Sequence, residues 1–149
     1  MTADLAKAEH EFRRLADRYA DAINRADFTD LAACWAIQGV WTVASPFSYN
    51  EVGRDDIVAL VAKRRTTTEF VVMSVGAQVL TSATATRLRG RTTIEEQGRR
   101  RDGSAIHVLG CYEDELELDD GGAWVFARRT LTVLASDTAP TTLAPPSES

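Results

Sequence analysis

Apolar side chains recur at Leu5, Phe12, Leu15, Tyr19, Ile23 and Ala26, the spacing of one helix face, with Lys7, Glu11, Arg14, Arg18 and Asp21 opposite. Thr2 or Asp4 is placed to cap this helix. The Asp27-Phe28-Thr29-Asp30 break leads into a short second helix carrying Leu31, Cys34 and Trp35. Val40 to Ala44 alternates, is rich in β-branched residues and reads as a strand ended by Ser45-Pro46. Gly53 and Arg54-Asp55-Asp56 open a third helix through Arg65, with Ile57, Leu60 and Val61 as its apolar side. Acids at its start and Lys63-Arg64-Arg65 at its end complement the helix dipole.

From Thr68 the pattern changes to a period of two. Strands are predicted over Phe70–Val75, from Gln78 to Leu80, over Thr84–Gln97, Ser104–Leu118 and Trp124–Leu134, with turns at Gly98–Gly103 and Asp119–Gly122. The central hairpin sets Arg87, Arg89 and Arg91 against Glu113, Glu115 and Glu117, whether Arg87 faces Glu115 or Glu117. Such cross-strand ion pairs contribute about 0.2–1 kcal/mol each, so this face is polar or a subunit contact. The opposite face carries Leu88, Gly90, Thr92 and Ile94 on one strand and Val108, Gly110, Tyr112 and Asp114 on the other. Small residues among large ones leave room there for a cavity. His107 falls on the outer face, and His10 is on an early, solvated helix turn.

The 149 residues fit one domain, expected over residues 1–135, with a Pro/Ser/Thr-rich disordered tail over 136–149. Hydrophobic residues make up 44% and charged residues 26%, an ordinary globular composition. The net charge of −5 argues against a nucleic-acid surface. No apolar run approaches a membrane span, and Met1 to Glu11 lacks the apolar stretch of a secretory leader, so no membrane partner and a cytoplasmic location are expected. Cys34 and Cys111 lack metal-type spacing and read as reduced, buried thiols. With only His10 and His107 available, neither a Cys/His metal cluster nor a Ser–His–Asp order is present, and there is no Gly-rich phosphate loop; no metal and no cofactor are expected.

Several phrases carry a resemblance. They are Arg18-Tyr19-Ala20-Asp21-Ala22-Ile23-Asn24, Asp27-Phe28-Thr29-Asp30-Leu31, Gly53-Arg54-Asp55-Asp56-Ile57, Gly110-Cys111-Tyr112-Glu113-Asp114, and Gly122-Ala123-Trp124 followed by Arg128-Arg129. In their order and spacing the chain resembles the SnoaL-like branch of the nuclear-transport-factor-2-like fold, which includes polyketide cyclases, scytalone dehydratase and hexachlorocyclohexane dehydrochlorinase. The resemblance implies an α+β fold: a cone-like, curved, mixed but mainly antiparallel sheet wrapped by about three N-terminal helices around one apolar pocket. It also implies a homodimer through the outer sheet face. Dehydratase-like members use an Asp–His dyad. The Asp position falls on Asn24 here, and the His position on Glu69, or on Phe70 if the register slips by one. The dyad is thus absent in both halves.

Two readings of that departure stand open. In one, Glu69 is a general base, its pKa raised by an apolar cavity, with Asn24 and Tyr112 as hydrogen-bond donors. In the other, Glu69 merely opens a strand and Asn24 is a polar helix-end group. Tyr19 and Ile23 lie on the inward stripe of the first helix, and Trp41 is a further candidate for the pocket wall or the core. Arg129 shares a strand face with Leu131 and needs a carboxylate, either Asp114 or an anionic ligand group. Leu88, Gly90, Thr92, Val108, Gly110 and Leu131 complete the expected binding wall. The expected function is a cofactor-independent enzyme acting on a hydrophobic, oxygenated small molecule by elimination, isomerisation or cyclisation. The alternatives are a ligand-binding protein that lost the dyad, and a cyclase that works by holding its substrate in shape.

Overall fold

A computed structural model describes residues 4–137. Asp4 caps the first helix, accepting from the Lys7 amide at 3.2 Å, and α1 runs Leu5–Arg25. Asp27 caps α2, Phe28–Ala33, in the same way through the Asp30 amide. β1 (Trp35–Val43), β2 (Tyr49–Val52) and α3 (Arg54–Arg65) follow, then β3 (Thr68–Ala83), β4 (Arg87–Arg100), β5 (Ala105–Leu118) and β6 (Trp124–Ser136). The six strands form one sheet in the order β2-β1-β6-β5-β4-β3. β3 to β6 form an antiparallel meander, and β1 joins it by pairing parallel to β6. The α+β architecture and mixed sheet agree with the expectation.

Several boundaries differ from the sequence reading: β2 is not predicted there, and β4 lies three residues later than the Thr84–Gln97 expected. Trp35 opens β1 rather than closing α2. The segments read as Phe70–Val75 and Gln78–Leu80 form a single strand, β3, whose register shifts between Val75 and Gln78 absorb the broken alternation. Ser136, read as the start of the tail, ends β6, while residues 138–149 of that expected tail lie outside the described residues.

In the hairpin, Arg87 faces Glu117 and Arg89 faces Glu115, with N–O separations of 3.6 and 3.2 Å. That register puts Leu88, Gly90, Thr92 and Ile94 on the inner face, beneath α1. Phe12, Leu15 and Tyr19 of α1 pack there with Leu31, Trp35, Ile57, Leu88, Leu116 and Phe126. Tyr19 meets Phe126 edge-on at 5.6 Å between ring centroids. His107 sits on the outer face between Glu95 (3.0 Å) and Asp137 (3.5 Å), and those carboxylates raise its pKa, Glu95 first.

The glycine pair does not make the cavity. A Cβ on Gly90 would come 2.4 Å from the Val79 carbonyl oxygen and 2.5 Å from the Phe12 ring, and one on Gly110 would come 2.6 Å from Leu131 Cδ1. The space left by the missing side chains is already filled, by α1 at Gly90 and by Leu131 at Gly110. Both cysteines are free; Cys34 is buried, and desolvation pushes its thiol up to about 11, whereas Cys111 is only half-buried. No described helix is long and apolar enough to cross a membrane.

Candidate functional site

A cavity of about 110 Å³ opens between α1, α3 and the inner face of the meander. Its wall includes Tyr19 and Ile23 from α1, Trp41 from β1, Val108 and Tyr112 from β5, and Leu131 from β6. Met73 and Ile94 add apolar surface, and Phe47 and Tyr49 flank the wall on the β1–β2 side. The charged side chains facing it are Glu96, Arg64, Arg65 and Arg100.

The floor is built on a buried ionic knot. Arg129 donates to both carboxylate oxygens of Asp114, Nε at 2.7 Å and Nη2 at 3.0 Å, and Thr92 donates its hydroxyl to Asp114 at 2.9 Å. The Arg129 and Asp114 side chains are 1% and 0% exposed, so this is a fully desolvated pair. The guanidinium carbon lies 3.8 Å from the Tyr112 ring centroid, 4.1 Å from Phe126 and 4.5 Å from Tyr19. Burial is the largest single influence and opposes its charge, but Asp114, Tyr112 and Tyr19 together outweigh it and hold the guanidinium above its usual range. The pair therefore supports the phenols from behind and does not itself line the cavity.

Above the knot, the Trp41 indole N–H donates to the Tyr112 hydroxyl at 3.2 Å, leaving the Tyr112 proton free to be donated. Burial raises the Tyr112 pKa, opposed by Arg129 and by the Trp41 hydrogen bond. Burial, then the neighbouring Tyr112, raises that of Tyr19 further. Both are neutral donors at neutral pH.

Glu96 is the titratable group that sequence reasoning missed. It follows Ile94 by two residues on β4, so it continues the inner face of Leu88, Gly90, Thr92 and Ile94. Desolvation raises its pKa, only partly offset by Arg64. Its charge also bears on Tyr19 and Tyr112, so all three share one space. No carboxylate partner of the Asp114 kind is made: among the described residues, Glu96 forms no ion pair.

The residue chosen from sequence as base is elsewhere. Glu69 is exposed at the start of β3 and pairs with Arg99 at 2.6 Å on the outer side. The strand register shifts between Thr68 and Phe70, which leaves Glu69 and Phe70 both outward and Thr68 and Val71 facing the cavity. A base role for Glu69 is thereby removed. Asn24 also turns away from the cavity. Its side-chain oxygen accepts from the Met73 amide at 2.6 Å and its nitrogen donates to the Met73 carbonyl at 3.0 Å. It pairs with edge strand β3 as another strand would, which is a structural task. Leu88, Gly90, Thr92, Gly110 and Arg129 belong to the core beneath the site and do not form its wall. Among the described residues no three His, Cys, Asp or Glu side chains gather to hold a metal ion.

Comparison with known proteins places this geometry in context. The SnoaL-like domain family matches residues 4–130. A search of curated proteins gives no match. Among solved structures, a protein named as a candidate scytalone dehydratase from Novosphingobium aromaticivorans superposes with a TM-score of 0.82 at 18% identity, covering 98% of this chain and 97% of its own. Hexachlorocyclohexane dehydrochlorinase LinA-type3 from Novosphingobium barchaimii gives 0.79 at 18%, covering 97% and 100%. A ketosteroid isomerase-like protein from Erwinia carotovora atroseptica gives 0.70 at 20%, covering 85% and 95%. At these identities the likeness is one of fold.

Proposed function

The chain belongs to the SnoaL-like domain family, and we propose that it is a cofactor-independent lyase- or isomerase-type enzyme acting on a small, hydrophobic, oxygenated molecule. The observation that carries this reading is Glu96, a carboxyl without an ion-pair partner among the described residues, in an otherwise mainly apolar cavity that it shares with the Tyr112 phenol. Desolvation moves its pKa toward the range where a carboxylate can both take and return a proton near neutral pH. The carboxylate removes a proton from a carbon next to a carbonyl. The electron pair moves onto the carbonyl oxygen, where Tyr112 donates a hydrogen bond to the forming enolate. The proton then returns from Glu96 to carbon, or the enolate expels a leaving group.

The reaction can be tested without knowing the natural substrate. Incubation with 4-phenylbutan-2-one in D₂O, followed by proton NMR, reads deuterium uptake next to the carbonyl. Wild type should exceed buffer, and Glu96→Gln should lower the catalysed rate by about 10²–10⁴-fold. Catalysed exchange that survives Glu96→Gln overturns the assignment.

A second reading, a binding protein without turnover, is favoured by the fixed structural role of Asn24. It predicts a melting-temperature shift with the same ketone and no exchange. On the family resemblance we also propose a homodimer through the outer sheet face, where Phe70, Val72 and Leu109 are exposed. Sedimentation as a monomer at about tens of micromolar, a range suited to modest interfaces, would contradict it.

A further inference from the structure

The arginines at the cavity call for a reason. A basic run at a helix C-terminus ordinarily serves the last carbonyls and the dipole. In α3 that work is done by others: the hydroxyls of Thr66, Thr67 and Thr68 donate to the carbonyls of Lys63, Arg64 and Arg65 at 2.7, 2.7 and 3.0 Å. The Arg64 guanidinium instead reaches across to the Tyr49 ring, 5.1 Å from its centroid, at the side of the cavity. It is only half-buried and makes no ion pair among the described residues. Glu96 is near enough to feel its charge but is not within ion-pair distance. Arg65 donates to the Thr68 carbonyl and hydroxyl, both neutral, while its Nε–H is buried without an acceptor. Arg64 and Arg65 thus bring two guanidinium groups to a cavity whose wall carries one carboxylate among the described residues, Glu96.

We propose that the ligand is an amphipathic carboxylate, with its apolar body in the cavity and its carboxylate against the guanidinium of Arg64. This rests on the preceding reading of the cavity as a small-molecule site and narrows its substrate class. The size agrees: cavities of about 150 Å³ accept benzene, so 110 Å³ encloses at most one ring and leaves any polar tail at the mouth. A guanidinium grips a carboxylate with paired, charge-assisted hydrogen bonds, which an ester cannot match. The apolar wall of Ile23, Met73, Ile94 and Leu131 takes the ring.

The test is calorimetric titration with 4-oxo-4-phenylbutanoate, its methyl ester and 4-phenylbutylamine, on wild type, Arg64→Met and Arg64→Lys. In wild type the acid should bind about tenfold more tightly than the ester, which is about 1.4 kcal/mol, and the amine most weakly. Arg64→Met should erase the preference for the acid while leaving the ester within about twofold, and Arg64→Lys should keep part of it. Equal binding of acid and ester in wild type, or an acid preference that survives Arg64→Met, overturns the proposal while leaving the cavity a ligand site. If none of the three binds at millimolar concentration, the small-molecule reading itself falls and this proposal with it.

Discussion

Two carboxylates on the inner faces of neighbouring strands meet opposite treatment. Asp114 on β5 is sealed from solvent and receives three hydrogen bonds, two from Arg129 and one from Thr92. Glu96 on β4 is turned into the cavity and receives no ion pair from the described residues, and its pKa is raised by desolvation. A carboxylate whose lone pairs are occupied has nothing left for chemistry, and its loss is felt by the fold. One left unpaired in an apolar cavity costs the fold something and can act on a ligand. The same strand pair therefore separates a supporting region from the proposed reacting one over a few residues.

The largest effect expected from breaking this division is on stability. Arg129→Met leaves Asp114 buried without its cation, and should cost about 3–5 kcal/mol in urea unfolding. The double change Arg129→Met with Asp114→Leu removes both charges and should recover most of that loss. A single variant within about 1 kcal/mol of wild type would mean that Asp114 is not held as a buried ion. Glu96→Gln should show the reverse profile: a normal fold and lost exchange.

Smaller losses are expected where one hydrogen-bonding group is removed. Tyr112→Phe leaves the Trp41 indole N–H without its acceptor and should cost about 1–3 kcal/mol, read by the same unfolding measurement. Asn24→Asp restores the acidic type that the family resemblance calls for, yet sets a carboxylate against the Met73 carbonyl in place of an N–H donor. It should destabilise by about 1–3 kcal/mol and speed hydrogen exchange at the β3 edge, with no gain of activity. A gain in ketone exchange would show that position 24 reaches the substrate after all.

Much of this division was readable in the chain, and the reason it was only partly read is physical. Alternation fixed the inner face of β4 and β5, and the arginine–glutamate ladder fixed the outer one, because a period of two leaves no freedom once one pair is set. Carrying the β4 alternation one step past Ile94 reaches Glu96, and two steps further Arg100; the signal for the cavity charges was present in the pattern. Glu69 was misplaced because strand bulges are local insertions, and the one between Thr68 and Phe70 breaks the parity on which the assignment depended. The glycines misled for a different reason. A missing side chain records that something approaches closely, and only packing decides whether that is a ligand, Phe12 or Leu131.

The smallest effect expected tests the reacting side alone. The folded-state pKa of Glu96 lies above its ordinary value of 4.5, so the folded protein holds that proton more tightly than the unfolded chain does. Below about pH 4.5 both states are protonated and the stabilisation is fully present. As pH rises through the raised folded value, that stabilisation is lost, because the cavity must then hold an ion. Glu96→Gln lacks this dependence, and every other titrating group cancels between the two proteins. The melting temperature of Glu96→Gln minus that of wild type should therefore be near its minimum at pH 4, climb from about pH 4.5, and level off above the folded pKa. Each 1 kcal/mol of relief corresponds to about 2–4 °C for a domain of this size. A flat difference for Glu96→Gln would mean that the carboxyl ionises in the cavity as freely as in water, and the desolvation that fits it for returning a proton near neutral pH would be gone.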